Sequence, residues 1–314
     1  MAQKSPLQCR VEYIIARLFF GVLGFLPRGV SIRLGIIVVR LIFAPLIKIK
    51  RIGMLNLSIA FPEMTNAQRR KILKKSFSNL GRTISELSQF PRATPERLAE
   101  LVTFKFDDRE DHKSLYREEK KKGRGTIFAG PHLGNWEIGI FSYSAMVESV
   151  DYLARPLDNP LIDEYLNRIR NRFGNRAINK RQSFQTIIEI LRAGGTLGVM
   201  PDVNVQSKDG VFVPFFGKLA CTTGGVAMLA KRTDAMILPM CSVWDPATGK
   251  YVVKYDEVIL SADTGDRERD VIETTAAMTA AMERFIRAHP DQWLWVHKRW
   301  KTRPPGEDNL YADI

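Results

Sequence analysis

Residues 126–137 read TIFAGPHLGNWE, and the rest of the chain is best read outward from them. TIFAG is a short apolar run with the β-branched and aromatic bias of a buried strand. It leads into a Gly-Pro corner, a histidine, a Gly-Asn pair, and then a tryptophan and a glutamate. Asn135 has the character of a helix N-cap, and Pro131 and Gly134 favour a bend before it. His132 and Glu137 are five residues apart, on different faces of any continuous helix. They meet only if His132 sits in the turn and Glu137 in the first turn of the following helix, where the dipole favours a carboxylate. In that arrangement Glu137 accepts the proton on one imidazole nitrogen. The other nitrogen is then free to take a proton from a hydroxyl. This is the base-and-orienter half of a catalytic triad, with the nucleophile supplied by the substrate.

The strand-turn-helix of this segment starts an alternation. VDYLAR, RAIN and TLGVM read as further strands, separated by helices over about 135–148, 159–173 and 182–193. GVFVPFF, MILPMCSV and KYVVKYDEVIL follow as strands, with helices over 222–233 and 267–288. Strands alternating with helices predict an α/β fold with a central mixed, largely parallel sheet flanked by helices. In such sheets chemistry gathers where strands end and loops begin. Asp202 directly follows one strand, where either a turn cap or a site carboxylate is natural. Ahead of the sheet, Leu73, Phe77, Leu80, Ile84 and Leu87 recur every three or four residues, predicting a long helix over about 66–90 capped by Thr65 or Asn66. YREEKKKGRG reads as a solvated charge run.

The 314 residues carry 47 basic and 34 acidic side chains, a formal charge of +13, which points to an anionic partner. From Met1 to Arg51 nine basic residues accompany a single acid, Glu12, and are threaded through VEYIIARLFFGVLGFL and LGIIVVRLIFAPLI. Each stretch is interrupted by an arginine and falls short of the ~20 apolar residues of a spanning helix. The expectation is a membrane-docking helical segment over 1–62, lying on or dipping into an anionic cytoplasmic leaflet, followed by one α/β domain over 63–314; a single tilted span and a pair of buried core helices are the alternatives. Three dispersed cysteines indicate reduced thiols, with neither a disulfide frame nor a metal site. Phosphate-loop, dinucleotide, HExxH and GxSxG patterns are absent, so no cofactor is required. QWLWVHKRW interleaves tryptophans with His297, Lys298, Arg299 and Lys301; it reads either as a core strand with a basic edge or as an interfacial belt facing phosphates. No nucleic-acid fold signature accompanies it. The phenylalanines of GVFVPFF read as strand and turn, and also suit the wall of an acyl groove.

Four histidines among 34 acids yield about 0.4 pairs at this spacing by chance, so the spacing alone specifies little. Its setting carries more. PHLGNWE resembles the His-x4-Asp/Glu block of the glycerolipid acyltransferases, and its form is similar to the lipid A biosynthesis acyltransferase family. NLSIAFPEMT, RPLDNPLID, GGTLGVMPD, GVFVPFFGKLACTTGGVAMLAKRTDAMILP and HPDQWLWVHKRWK agree in order, from about residue 10 to 303. The resemblance implies transfer of a fatty acyl chain from acyl carrier protein or acyl-CoA to a hydroxyl of a glycolipid, at the cytoplasmic face of a bacterial inner membrane. It makes His132 the base and Glu137 its partner, and puts Arg155 or Arg170 near the family's basic position for the acceptor or the acyl carbonyl. Asp202 falls in a block that in relatives reads acid-Gln-Asn. Here it is DVN, so Val203 departs from the glutamine and Asn204 is kept. The candidate catalytic residues are therefore His132, Glu137 and Asp202. Asn135, Arg155, Arg170, Asn204, Lys298 and Arg299 are the candidate substrate contacts. The alternatives are another lipid acceptor, such as a mannosylated phosphoinositide or a lysophospholipid, and a non-catalytic protein that binds anionic lipid.

Overall fold

Ser5 and Pro6 open the first helix of the computed structural model, which describes residues 4–106, 109–179 and 184–314. The Ser5 hydroxyl caps α1 (Pro6–Phe25) by accepting from the Gln8 amide. Helices α2 (Arg28–Phe43) and α3 (Ile47–Ala60) follow. Thr65 and Gln68 form a reciprocal capping box at the start of α4 (Asn66–Gln89), as the apolar spacing predicts. Residues 47–60 are helical because Ile52, Leu57 and Ala60 bury one face. Pro62 then prevents continuation.

α2 lies against α4 at backbone distance. A Cβ on Gly35 would stand 2.8 Å from the Gly81 carbonyl oxygen, and one on Gly81 would stand 2.7 Å from Gly35's. Arg28 spans the same interface with hydrogen bonds of 2.6 and 3.0 Å to buried Glu86. Asn56 of α3 donates to the carbonyls of Trp295 and His297, far along the chain. Residues 1–62 are the expected membrane-docking helical segment. Those described share a core with the remainder: Val39, Ile52 and Leu57 pack in one cluster with Trp293, Trp295 and Trp300.

α5 (Pro95–Leu101) leads into β1 (Val102–Phe106). The expected solvated run is largely helical, as α6 (Glu110–Lys121), with acids in its first turn and lysines in its last, the polarity the helix dipole favours. Then come β2 (Thr126–Ala129), α7 (Trp136–Met146), β3 (Asp151–Ala154), α8 (Pro160–Arg170), β4 (Arg176–Asn179), α9 (Phe184–Arg192) and β5 (Thr196–Val199). β6 (Gly210–Phe215) and β7 (Lys218–Thr223) form a separate antiparallel hairpin. Residues 222–223, expected to open a helix, complete that hairpin instead, and α10 (Gly225–Thr233) begins after it. β8 (Met236–Asp245), β9 (Lys250–Tyr255) and α11 (Arg267–Ala288) finish the fold.

Seven strands form one sheet in the order β1-β9-β8-β2-β5-β3-β4. All neighbours run parallel except β8 and β9, so the sheet is mixed and largely parallel, as expected. β2 is central, bonded on one side to β8 and on the other to β5, and all four of its residues are buried. The candidate site therefore grows from the middle of the sheet, at its carboxyl edge.

Candidate active site

Two adjacent parallel strands end in the same way. β2 runs on as Ala129-Gly130-Pro131-His132, and β5 as Val199-Met200-Pro201-Asp202. Ala129 is in register with Val199, so His132 and Asp202 each stand three residues beyond paired positions. They meet there. His132 Nδ1 is 2.7 Å from Asp202 Oδ1, and the His132 amide donates to Oδ2, also at 2.7 Å. The Trp293 indole donates to that same Oδ2 at 2.9 Å. Among the described residues, none hydrogen-bonds to Nε2.

The turn holding His132 is braced on every side. Leu294 donates its amide to the His132 carbonyl at 3.0 Å, and Leu133 bridges to Trp293. Gly134 adopts φ +65°, and a Cβ there would lie 1.8 Å from the Ser242 carbonyl oxygen, so glycine is needed on two counts. The Gly134 carbonyl accepts from Asn79 and Thr83 of α4, and its amide donates to Gln292. Asn135 caps α7 as its sequence position suggests, accepting from the Ile138 amide at 3.1 Å. The expected substrate role of Asn135 does not hold, because this side chain is fully buried in capping the helix.

Glu137 lies in the first turn of α7, as expected, but it does not pin His132. It forms a bidentate pair with Arg170 at the end of α8: Nε donates at 2.9 Å, and Nη2 donates to the second carboxylate oxygen. Asp202 already holds His132 Nδ1, and α8 delivers a guanidinium whose fork matches the Glu137 carboxylate. The acid that orients the histidine comes from the neighbouring strand.

Electrostatics follow this geometry. Burial by itself would push the Asp202 carboxyl up. The charge and hydrogen bond of His132, with smaller contributions from His297 and Trp293, reverse that and hold it well below the usual carboxylate range. Burial likewise favours neutral His132, yet the Asp202 carboxylate, and then the Glu137 charge, raise its pKa above the ordinary 6.5. His297 is driven the other way, to about 4, chiefly by burial. Its Nε2 lies 3.2 Å from the backbone carbonyl of Asp202, so it supports the loop as a neutral ring. Arg170 is raised: its burial is outweighed by Glu137.

The remaining expected substrate residues lie elsewhere. The Arg155 side chain is 85% exposed and, among the described residues, pairs with Asp158 at 3.8 Å. Asn204 exchanges hydrogen bonds with Thr302, tying the Asp202 loop to the C-terminal segment. Lys298 lies over the Tyr311 ring and donates to the Ile314 carbonyl. Arg299 is fully buried, donating to the Cys221 carbonyl and the Thr222 hydroxyl, and burial lowers its pKa to about 10. Neither a core strand nor an interfacial belt describes QWLWVHKRW. Trp293, Trp295 and Trp300 are completely buried in irregular backbone that clamps the His132 turn. Phe215 and Phe216 pack among these indoles as core and wall no groove. The three cysteines are free and buried, and among the described residues no cluster of His, Cys, Asp or Glu suits a metal ion.

A turn-borne histidine, an acid on the adjacent strand and an acid-arginine pair at the next helix start are now in place. The family model for bacterial lipid A biosynthesis acyltransferases matches residues 4–302, nearly the whole chain. The chain belongs to that family. It is an acyltransferase of lipid A biosynthesis, and the family implies a lipid A precursor as acceptor and an acyl donor. Among curated relatives, the lipid A biosynthesis lauroyltransferase of Escherichia coli (strain K12) is 29% identical over 309 residues, covering 96% of this chain and 95% of the relative. The palmitoleoyltransferase of the same organism is 27% identical, covering 82% and 80%. A lipid A biosynthesis acyltransferase of Haemophilus influenzae is 25% identical, covering 81% and 76%.

Trp293 is a further donor to Asp202 that no local sequence pattern marks. A signal for the pairing of Asp202 with His132 was present in the matching Pro-His and Pro-Asp ends of two apolar strands. Using it requires knowing that those strands are neighbours.

Proposed function

We propose that this acyltransferase moves a fatty acyl group from a thioester donor, acyl carrier protein or acyl-CoA, to a hydroxyl of a lipid A precursor, with His132 as general base. One observation carries the reading: Asp202 holds Nδ1 of His132 at 2.7 Å, so Nδ1 keeps its proton and Nε2 presents a lone pair. Nε2 takes the acceptor's hydroxyl proton as that oxygen attacks the thioester carbonyl carbon. The carbon–sulfur bond breaks as the tetrahedral intermediate collapses, and the imidazolium returns its proton to the departing thiolate. Asp202 stabilises the imidazolium in between, the role of the third member of a triad. The Trp136 and Glu137 amides, in the first turn of α7, have no intrahelical acceptor, and they and the Arg170 guanidinium are the donors suited to the developing oxyanion. Met200 and Val203, exposed on either side of the Pro201-Asp202 pair, form an apolar border suited to an acyl chain.

The reaction takes place at the cytoplasmic face of the inner membrane. α1 turns Leu7, Val11, Ile14, Leu18, Val22 and Phe25 outward at helical spacing, with Leu7 72%, Leu18 65% and Phe25 77% exposed. Such a stripe, flanked by arginines, suits burial in the acyl boundary of an anionic leaflet. No single described helix is long and apolar enough to cross a membrane. α2 and α3, bent by 100°, together have the length and composition of a broken or re-entrant segment.

The test is mass spectrometry of the lipid A fraction from cells carrying the wild-type protein or its His132→Ala variant. The expected result is a gain of one fatty chain with the former and none with the latter. Equal acylation by both would remove His132 as the base.

A further inference from the structure

Where α2, α3 and α4 meet, a groove of about 460 Å³ opens to the surface, within the ~300–1,000 Å³ range of lipid- and ligand-sized sites. Its floor is apolar, formed by Phe43, Met54, Leu73 and Phe77, with the two phenylalanine rings 4.7 Å apart. Four cations border it: Arg40, Lys50, Arg70 and Lys74. No acid lines it. Elsewhere the described cations commonly find carboxylates, as Lys75 does with Asp291 and Arg28 with Glu86. None of these four forms an ion pair with a described residue. Arg40 is held by the Ser78 hydroxyl at 2.9 Å and Lys50 by the Ala44 carbonyl at 2.6 Å. Arg70 and Lys74 are one turn apart on α4 and lie on one face.

We infer that this groove holds one acyl chain of an anionic membrane phospholipid, with its phosphate on the cation rim. Charge and continuity both favour that occupant. The groove borders the connection between α2 and α3, where Leu41, Ile42, Leu46 and Ile47 are exposed and extend the apolar surface. A phospholipid in a leaflet covering those residues would reach the rim with its headgroup while a chain enters the groove. An acidic protein surface would match the charge but leave the apolar floor unfilled. The lining residues belong to α2, α3, α4 and the α2–α3 connection and include none of His132, Asp202, Glu137 and Arg170. The inference rests on the membrane location proposed above and adds a stoichiometric lipid to it.

The test titrates dihexanoyl phosphatidylglycerol, dihexanoyl phosphatidylcholine and inorganic phosphate, each below any micelle concentration, into the detergent-solubilised full-length protein by calorimetry. Phosphatidylglycerol is expected to bind with a stoichiometry of one, at least tenfold tighter than either phosphatidylcholine or phosphate. An Arg70→Glu/Lys74→Glu variant and an Ala44→Phe variant, which crowds the rim, should each lose at least tenfold. Lys208→Glu/Arg267→Glu, with the same change in net charge, should bind as wild type. An equal loss in that control, or no loss in both groove variants, would overturn the site. So would acyl carrier protein losing affinity for the charge-reversed variant while lipid binding stayed intact, since the rim would then belong to an acidic protein. Acyl transfer in the same detergent separates the two readings. Transfer without stoichiometric lipid removes the groove alone, and lipid binding in a wild-type protein that transfers nothing removes the catalytic reading alone.

Discussion

Asp202 meets His132 twice with one carboxylate, accepting its backbone amide on Oδ2 and facing its Nδ1 with Oδ1, both at 2.7 Å. Position and tautomer are therefore set by one side chain. The double contact requires β2 and β5 to be neighbours in parallel register, because each residue lies three positions past a paired one. Trp293 fills a remaining acceptor site of Asp202, so this buried carboxylate has no idle oxygen.

Asp202→Asn is expected to lower kcat by about 10²–10⁴-fold with little change in substrate affinity, because an amide neither fixes the tautomer nor stabilises the imidazolium. Steady-state kinetics on purified variants measure this. Glu137→Gln should cost less than Asp202→Asn. A larger loss at Glu137 would return the orienting role to that residue.

The pH profile follows from the raised pKa of His132. A base must be unprotonated, so the rate should fall as pH drops through an inflection above 6.5. Asp202→Asn should move that inflection downward, and Glu137→Gln should move it downward by less, matching the order of their influence on the imidazole. The linkage to stability has the opposite sense. A pKa raised by folding stabilises the fold below the unfolded histidine value, and that contribution fades as pH rises through the folded one. Rate against pH, with thermal melts over the same range, reads both.

The Glu137–Arg170 pair is expected to be coupled. Glu137→Gln or Arg170→Met alone leaves a mostly buried charge without its partner and should destabilise by about 1–3 kcal/mol, less than for a fully buried pair. The double variant should be less destabilised than the sum of the two singles. Chemical denaturation of the four proteins gives the coupling energy, and strict additivity would show that the pair contributes none.

Gly134→Ala should destabilise by at least about 2 kcal/mol, combining a left-handed backbone with a Cβ driven into Ser242. A lowered Tm and loss of activity are expected together, since Gly134 fixes both the turn of His132 and the start of α7.

Leu18→Glu/Val22→Glu in α1 should release the protein from vesicles without changing its Tm by more than about 2 °C, because the first side chain is exposed and the second is half exposed. Vesicle flotation beside a melting curve distinguishes lost anchoring from lost folding.

Local chemistry was legible along the chain. Thr65 announces the start of α4, Asn135 the start of α7, and the apolar runs nearly every strand of the main sheet, because capping and periodicity act over a few residues. The charged run at 116–125 is largely solvent-facing, as expected, but its helical part is not marked in the sequence, since Glu and Lys leave no apolar stripe. Lys298 and Arg299 stayed ambiguous in the sequence because cations beside tryptophans look alike at a membrane and in a core. Arg299 is buried only because the Cys221 carbonyl and the Thr222 hydroxyl arrive from a distant hairpin.

The sequence by itself determined that a histidine would stand in a rigid turn between a buried strand and a capped helix. It could not determine which acid would face that histidine. Glu137 was near in the chain, but Asp202, seventy residues on, was near in space. Only the sheet order decides this, because strand adjacency is a long-range packing outcome, whereas a turn and a cap are settled by the few residues that form them.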